Sequence, residues 1–282
     1  MDKEKALDVA GKAIVILVIL AITAFALKTF VLDASPQAGN TTAAPAPTMQ
    51  PAPQAQSVLH ADFNEGTSGK LLGIALQPAA MLVTSENAKE GKSVKLTATP
   101  GTAASNRAQL STEWYPAPGQ TVQYRLSFII PTTYAHPDKW QTLASWSQVP
   151  DKTKNESWAD VPSYGPPLSL RIGNTDGELN TYLNYGLQND SFTRVIGKAN
   201  VTRGEWNDLW IRVKWSLEGD GFVEATLNGQ PLTSYSNDSF KAYGANLYNP
   251  SGNRFLIGIN RDPTINTTMS IYYDDVDIAT EN

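Results

Sequence analysis

The strictest alternation of apolar and polar positions runs from Leu209 to Trp215. Leu209, Ile211, Val213 and Trp215 fall on one side, Trp210, Arg212 and Lys214 on the other. Successive side chains of an extended backbone point in opposite directions, so period two predicts a half-buried strand. A Gly/Asp turn leads into a second such strand, Phe222–Leu227. Asn228-Gly229 then supplies the pair that a type I′ hairpin favours, because both central residues need positive φ. The same alternation recurs in Val122–Ile130, Leu168–Ile172, Leu179–Tyr185, Phe255–Ile259 and Met269–Ile278. No stretch between residues 57 and 282 carries a helical period with caps, and Gly, Pro, Asn and Asp clusters separate the apolar runs. The pattern predicts one all-β unit, a sandwich or jelly roll, without internal repeats.

The N-terminus follows another rule. From Ala13 to Leu32 the only polar residues are Thr23, Lys28 and Thr29, a run long enough to cross a bilayer at ~1.5 Å per residue. Lys3, Lys5 and Lys12 precede it, and basic residues on the near side of a span predict the rest of the chain outside the cytoplasm. Residues 1–12 are thus expected in the cytoplasm, 13–32 as a single transmembrane helix, and 33–56 as a Pro/Ala-rich linker unable to bury a core. A signal peptide cleaved after Ala24-Phe25-Ala26 is the alternative, and it would give a secreted protein.

Composition narrows the chemistry. The 282 residues contain no cysteine, which excludes disulfides, a thiol nucleophile and thiolate metal sites. The net charge of −5 argues against nucleic acid as a partner, so any polyanion has to be held by a local basic strip. Trp210 beside Arg212 and Lys214 is one candidate, an aromatic plate for a sugar ring with cations for its carboxylate; a solvated strand face is the alternative. Asp62, Asn64 and Glu65 near the first strand and Asp274 and Asp275 near the last offer oxygen ligands for a structural Ca²⁺ if the terminal strands pair, against solvated turn acids; no cofactor is required. His60 reads as structural, and His136, in a Pro-flanked loop, as a candidate for a groove rim. Glu178, Glu205 and Glu224 are too scattered for the carboxylate pair of a glycoside hydrolase.

An ordered set of segments adds a resemblance. Asn106-Arg107-Ala108-Gln109-Leu110, Phe128-Ile129-Ile130-Pro131, Trp140 with Trp146, Gly165-Pro166-Pro167-Leu168, Gly204-Glu205-Trp206-Asn207-Asp208, Gly258-Ile259-Asn260-Arg261 and Tyr272-Tyr273-Asp274-Asp275-Val276 together resemble polysaccharide lyases of the heparin lyase I and glucuronan lyase type, over roughly residues 58–280. That resemblance implies a concanavalin-like β-jelly-roll sandwich whose concave sheet holds an acidic polysaccharide. Such enzymes cleave by β-elimination, which needs a group to neutralise the uronate carboxylate, a base for the C5 proton and an acid for the leaving oxygen. It implies Arg107 as the carboxylate clamp, with Gln109, Trp146, Gln148, Asn260 and Arg261 in substrate-binding positions. The chain departs from the motifs: Ser147 stands at the usual His and Asn260 at the usual Tyr. From the strand alternation, Tyr182 shares a face with Arg171 and is the candidate replacement base and acid, with a sugar-stacking Tyr as the alternative. A lyase and a non-catalytic carbohydrate-binding or adhesion module both fit these residues.

Overall fold

The computed structural model describes residues 55–66, 71–74, 80–102, 106–134, 138–161, 164–175, 178–187, 194–232 and 241–281. The expected anchor, nearly all of the linker and His136 lie outside the described residues. Among the described residues, no helix is long and apolar enough to cross a membrane.

The described part belongs to one compact unit, Ala52–Asn282. Its strands are β1 (Ala55–Ala61), β2 (Leu72–Ile74), β3 (Met81–Thr84), β4 (Ser93–Ala98), β5 (Arg107–Ser111), β6 (Thr121–Ile129), β7 (Gln141–Gln148), β8 (Leu168–Thr175), β9 (Glu178–Tyr185), β10 (Arg194–Asn200), β11 (Trp206–Lys214), β12 (Phe222–Leu227), β13 (Gln230–Pro231), β14 (Lys241–Tyr243), β15 (Asn253–Arg261) and β16 (Met269–Glu281). They form two antiparallel sheets. One follows the order β13-β12-β11-β6-β16-β4-β3, with β1 on β16 and β14 on β12; the other follows β10-β9-β8-β7-β15-β5-β2. The fold is an all-β sandwich of jelly-roll type, and every strand named from the sequence is present, most of them one to three residues longer. Asn228 and Gly229 both have positive φ, 52° and 76°, at the β12–β13 hairpin.

The core lies between the sheets because alternate residues of both face inward. Its centre is aromatic. Tyr124 from β6 stands edge-on to Trp146 of β7 at 5.2 Å and to Trp215 at 6.5 Å, and Trp146 stacks on Phe255 of β15 at 4.9 Å. Trp146 and Trp215 are fully buried, and pairs of this kind add ~0.5–1.5 kcal/mol each beyond the area they remove from water.

One irregularity shapes the seven-stranded sheet. Register slips between Ile257 and Asn260 of β15, so that two residues, Gly258 and Ile259, oppose the single Leu143 of β7. Gly258 has φ +118°, and a Cβ there would lie 2.1 Å from the Ala108 carbonyl oxygen, so no side chain is tolerated. The Leu143 carbonyl accepts a hydrogen bond from the Tyr273 hydroxyl at 2.8 Å, a tie from β16 of the opposite sheet. The bulge is thereby pinned from across the core.

At the edge of the other sheet, β1 is fastened to β16 by His60, whose Nδ1 lies 2.5 Å from Asp277 Oδ1. That hydrogen bond, opposed by partial burial and helped by the charges of Asp277, Asp62 and Asp275, raises the His60 pKa. The raised value means that the contact stabilises the fold fully below the unfolded pKa of ~6.5 and fades as pH climbs through the folded value. The melting-temperature difference between the native chain and His60→Gln is expected to be largest near about pH 5 and to shrink by about pH 9, within the ~0–1 kcal/mol typical of exposed pairs. A difference that grows with pH would refute this role.

Candidate functional site

The outer face of the seven-stranded sheet gathers side chains that the sequence scatters over 150 residues. Register aligns Arg107 with Asn260, Asn260 with Thr142, Thr142 with Arg171, Arg171 with Tyr182, and Tyr182 with Lys198. These six form one transverse row, roughly 24 Å long at ~4.8 Å per strand spacing. Beside it runs a neutral row, Ser111, Leu256, Ser145, Ser169, Asn184 and Val195. The bulge at Gly258 brings Asn260 level with Thr142, so the first row depends on it.

Three arginines occupy this face, and among the described residues none forms an ion pair with Asp or Glu. Arg107 donates from Nε to Asn260 Oδ1 at 3.0 Å. Arg171 is half-buried, its Nε has no hydrogen-bond partner, and burial lowers its pKa. A guanidinium stays charged even so, and a buried charge without a counter-charge is costly. Ser169 Oγ, Asn180 Oδ1 and Asn184 Oδ1, on neighbouring outward positions, are likewise buried without partners. Polar atoms in this state are available to hydrogen-bond with whatever enters the face.

Around Arg171 the face dips into a hollow of about 460 Å³ lined by Trp140, Tyr182, Asn184, Val195 and, on its rim, Asp138 and Lys139. Gly173 shapes it: a Cβ there would lie 2.7 Å from the Tyr182 ring, so the ring lies over a position that only glycine leaves open. Trp140 is 44% exposed at the edge. An aromatic platform, an open Trp and an unpaired cation together can stack a sugar ring and hold its carboxylate. A larger hollow of about 580 Å³ opens beside the other sheet, but its cation, Lys95, already faces Glu86 at 3.5 Å and the Tyr272 ring at 5.1 Å.

Several expected contacts lie elsewhere. Trp210, Arg212 and Lys214 belong to β11 of the nine-stranded sheet, so the sandwich core separates them from Arg107. Their charges are also spoken for. Arg212 donates to Glu281 at 2.6 and 2.7 Å and to Glu224 at 2.6 Å, Lys214 pairs with Asp220 at 2.5 Å, and Trp210 Nε1 reaches Gln123 at 3.4 Å. The Glu281 hydrogen bond outweighs desolvation and raises the Arg212 pKa further. Trp146 is a core residue, because β7 alternation that buries it turns Ser145 and Ser147 outward. Gln148 is turned inward with it, opposite the buried Asn253. Arg261 is 1% exposed and donates to Asn106 Oδ1 and to the Thr267 carbonyl, tying two loops together. Gln109 remains on the outer face, 3% exposed, between Arg107 and Ser111.

The terminal strands do pair, as a calcium site would require. Asp274 accepts from the backbone N–H groups of Lys89 and Asp275, and the Lys89 ammonium lies 3.3 Å from Asp275 and 2.8 Å from Asp208. Asp62 accepts from the Asn64 backbone and side chain. Among the described residues, no group of three or more Asp, Glu or His is placed to hold a metal.

Arg254, Trp158 and Asn184 were missed by sequence reasoning, and Trp140 entered it only as part of the family resemblance, without a site role. Extending the Phe255–Ile259 alternation one step back would have put Arg254 outward, whereas Trp140 and Trp158 sit in loops with no period to read.

The two-sheet fold is shared with solved structures of differing chemistry. An endo-β-1,4-glucuronan lyase from the fungus Trichoderma reesei superposes with a TM-score of 0.59 at 14% identity, over 79% of this chain and 95% of that one. A carbohydrate esterase from the Shiga toxin-encoding bacteriophage phi24B gives 0.52 at 14%, over 81% and 100%. A GH131 β-glucanase catalytic domain from Podospora anserina gives 0.50 at 13%, over 78% and 91%. At these identities the likeness establishes the fold alone. No curated protein matches the sequence. A match to the polysaccharide lyase family, however, extends over residues 63–277, from the turn after β1 into β16. With more than half of its length inside that match, the chain belongs to the polysaccharide lyase family.

Proposed function

We propose that this protein holds an acidic polysaccharide against the outer face of its seven-stranded sheet, outside the cytoplasm and tethered by residues 13–32. The observation that carries the reading is Arg171, half-buried and, among the described residues, without an ion pair, beside Tyr182 and Trp140. A uronate fits that need: its carboxylate supplies the absent charge and its ring the apolar contact. Arg171→Ala is expected to reduce retention of the full-length chain on immobilised carboxylated or sulfated polysaccharides at least tenfold, as is Gly173→Val, which displaces the Tyr182 ring. Neutral glucans should not be retained, and retention of no acidic polymer by the native chain would end the proposal.

Binding is favoured over turnover by the substituted motif positions. Ser147 and Asn260 both lie on the outer face, where the family pattern has His and Tyr, and neither can exchange protons usefully near neutral pH. Each lost general acid or base removes ~10²–10⁴-fold in rate. Elimination is the second reading because Tyr182 stands in register with Arg171. In that reading the phenolate removes the C5 proton, the C4–O bond breaks as the C4–C5 double bond forms, and the phenol returns a proton to the departing oxygen, while arginine holds the carboxylate. The expected outcome is little or no release of ultraviolet-absorbing unsaturated uronate by the native chain, and a gain on Ser147→His with Asn260→Tyr. Robust native turnover abolished by Tyr182→Phe would establish elimination instead.

The tether is tested by fractionation. Full-length protein is expected with the membranes of its native cell, and a mature N-terminus beginning near Leu27 would make it a secreted protein.

A further inference from the structure

Away from Arg171, the same face repeats its combination of a cation and an open indole. Arg254 projects outward at the start of β15 because Asn253 and Phe255 on either side of it are buried. Its guanidinium carbon lies 4.5 Å from the centre of the Trp158 ring, and its Nε is buried without a hydrogen-bond partner. Trp158 is 54% exposed, so a large part of the indole stays open to a ligand. The loop that carries it is built to hold it there. Asp160 accepts from both the N–H and the hydroxyl of Ser157 at 2.8 Å, the buried Asp151 caps the turn Lys152–Lys154 through the Thr153 N–H, and the Lys152 N–H donates to Ser251 at 3.0 Å.

The electrostatics point to an anion. Burial lowers the Arg254 pKa most; Tyr115 opposes this, and the nearby Arg107, a like charge, pushes it down by less. The cation–π contact offsets only part of that cost. On β7, Ser147 is level with Arg254 and Thr142 with Arg171, five positions apart with the bulge between them. With one strand step to either side, the two arginines are separated on a diagonal of roughly 18 Å.

We infer that Arg254 and Trp158 form a second anion station, so that the domain grips one polyanionic chain at two separated points. A carboxylate or sulfate rests on Arg254 with its sugar ring against the exposed indole, while another residue of the same chain occupies Arg171, Tyr182 and Trp140. The inference rests on the proposed binding face and adds a length requirement: a disaccharide is too short to reach both stations, whereas an octasaccharide spans them. Joining two weak contacts through one ligand makes the second effectively intramolecular and raises overall affinity without new chemistry.

The test is calorimetric titration of the full-length chain, in detergent micelles, with a disaccharide and an octasaccharide cut from whichever acidic polymer it retains. The native chain is expected to bind the octasaccharide at least tenfold more tightly than the disaccharide. Arg254→Met and Trp158→Ala should each collapse that ratio toward one, and Arg171→Met should weaken the octasaccharide as well. Trp158 is exposed, so its variant carries the test even if Arg254→Met fails to fold. A ratio that survives in Trp158→Ala, or a native ratio near one, overturns the second station while leaving the binding face intact. If the native chain retains no acidic polymer, the binding face itself fails, and this inference with it.

Discussion

The arrangement depends on the interdigitated aromatic centre of the sandwich. Trp146 stacked on Phe255, with Tyr124 against both and Trp215 against Tyr124, fixes which residues of β7 and β15 point inward. A strand has only two faces, so burying Trp146 and Phe255 forces Ser145, Ser147, Arg254 and Leu256 outward. A slip of one residue would bring Ser147 into the core and expose Trp146 if it occurred in β7, or bring Arg254 in and expose Phe255 if it occurred in β15. The identity of the outer face is therefore set by packing on the other side of the same strands.

The two outer faces then differ in how they treat charge. On the nine-stranded sheet Arg212, Lys214 and Lys89 each meet carboxylates from neighbouring strands or turns, so among the described residues most of its cations are paired, Arg125 of β6 excepted. Pairs of this sort stabilise little when exposed, but they remove the field that would draw a polyanion. On the seven-stranded sheet the arginines have neutral neighbours: Asn260, Thr142, Ser147 and Tyr182. In the proposed function, this local strip is what would let an acidic polymer approach against a net charge of −5.

Membership of a lyase family does not by itself carry the reaction. The jelly roll supplies a face of fixed register, and the chemistry resides in a few outward side chains on it. In this chain the positions named by the resemblance hold Arg107, Ser147 and Asn260, an arginine and two side chains that do not exchange protons near neutral pH. The bulge at Gly258 aligns Asn260 and Arg107 with Thr142 and Arg171.

The sequence alone determined β6, β8, β9, β11, β12, β15 and β16, because a half-buried strand writes its period directly into residue type, while β7 and the other strands were not read from it. It determined the hairpin at Asn228-Gly229 for the same local reason, and the ordered motifs pointed to the family and to Arg107. The pairing of Arg171 with Tyr182 was legible once both strands were read, since each needed only its own alternation. Only the tertiary structure decided which strands share a sheet. Trp210 and Arg212 look identical in character to Arg107 along the chain, yet strand order assigns them to opposite sides of the core. It also decided that Trp146 and Arg261 are internal, since motif spacing does not say which side of a strand the neighbouring sheet will cover. Arg254 and Trp158 meet through a loop folding back 96 residues earlier in the chain, a contact that no local period encodes.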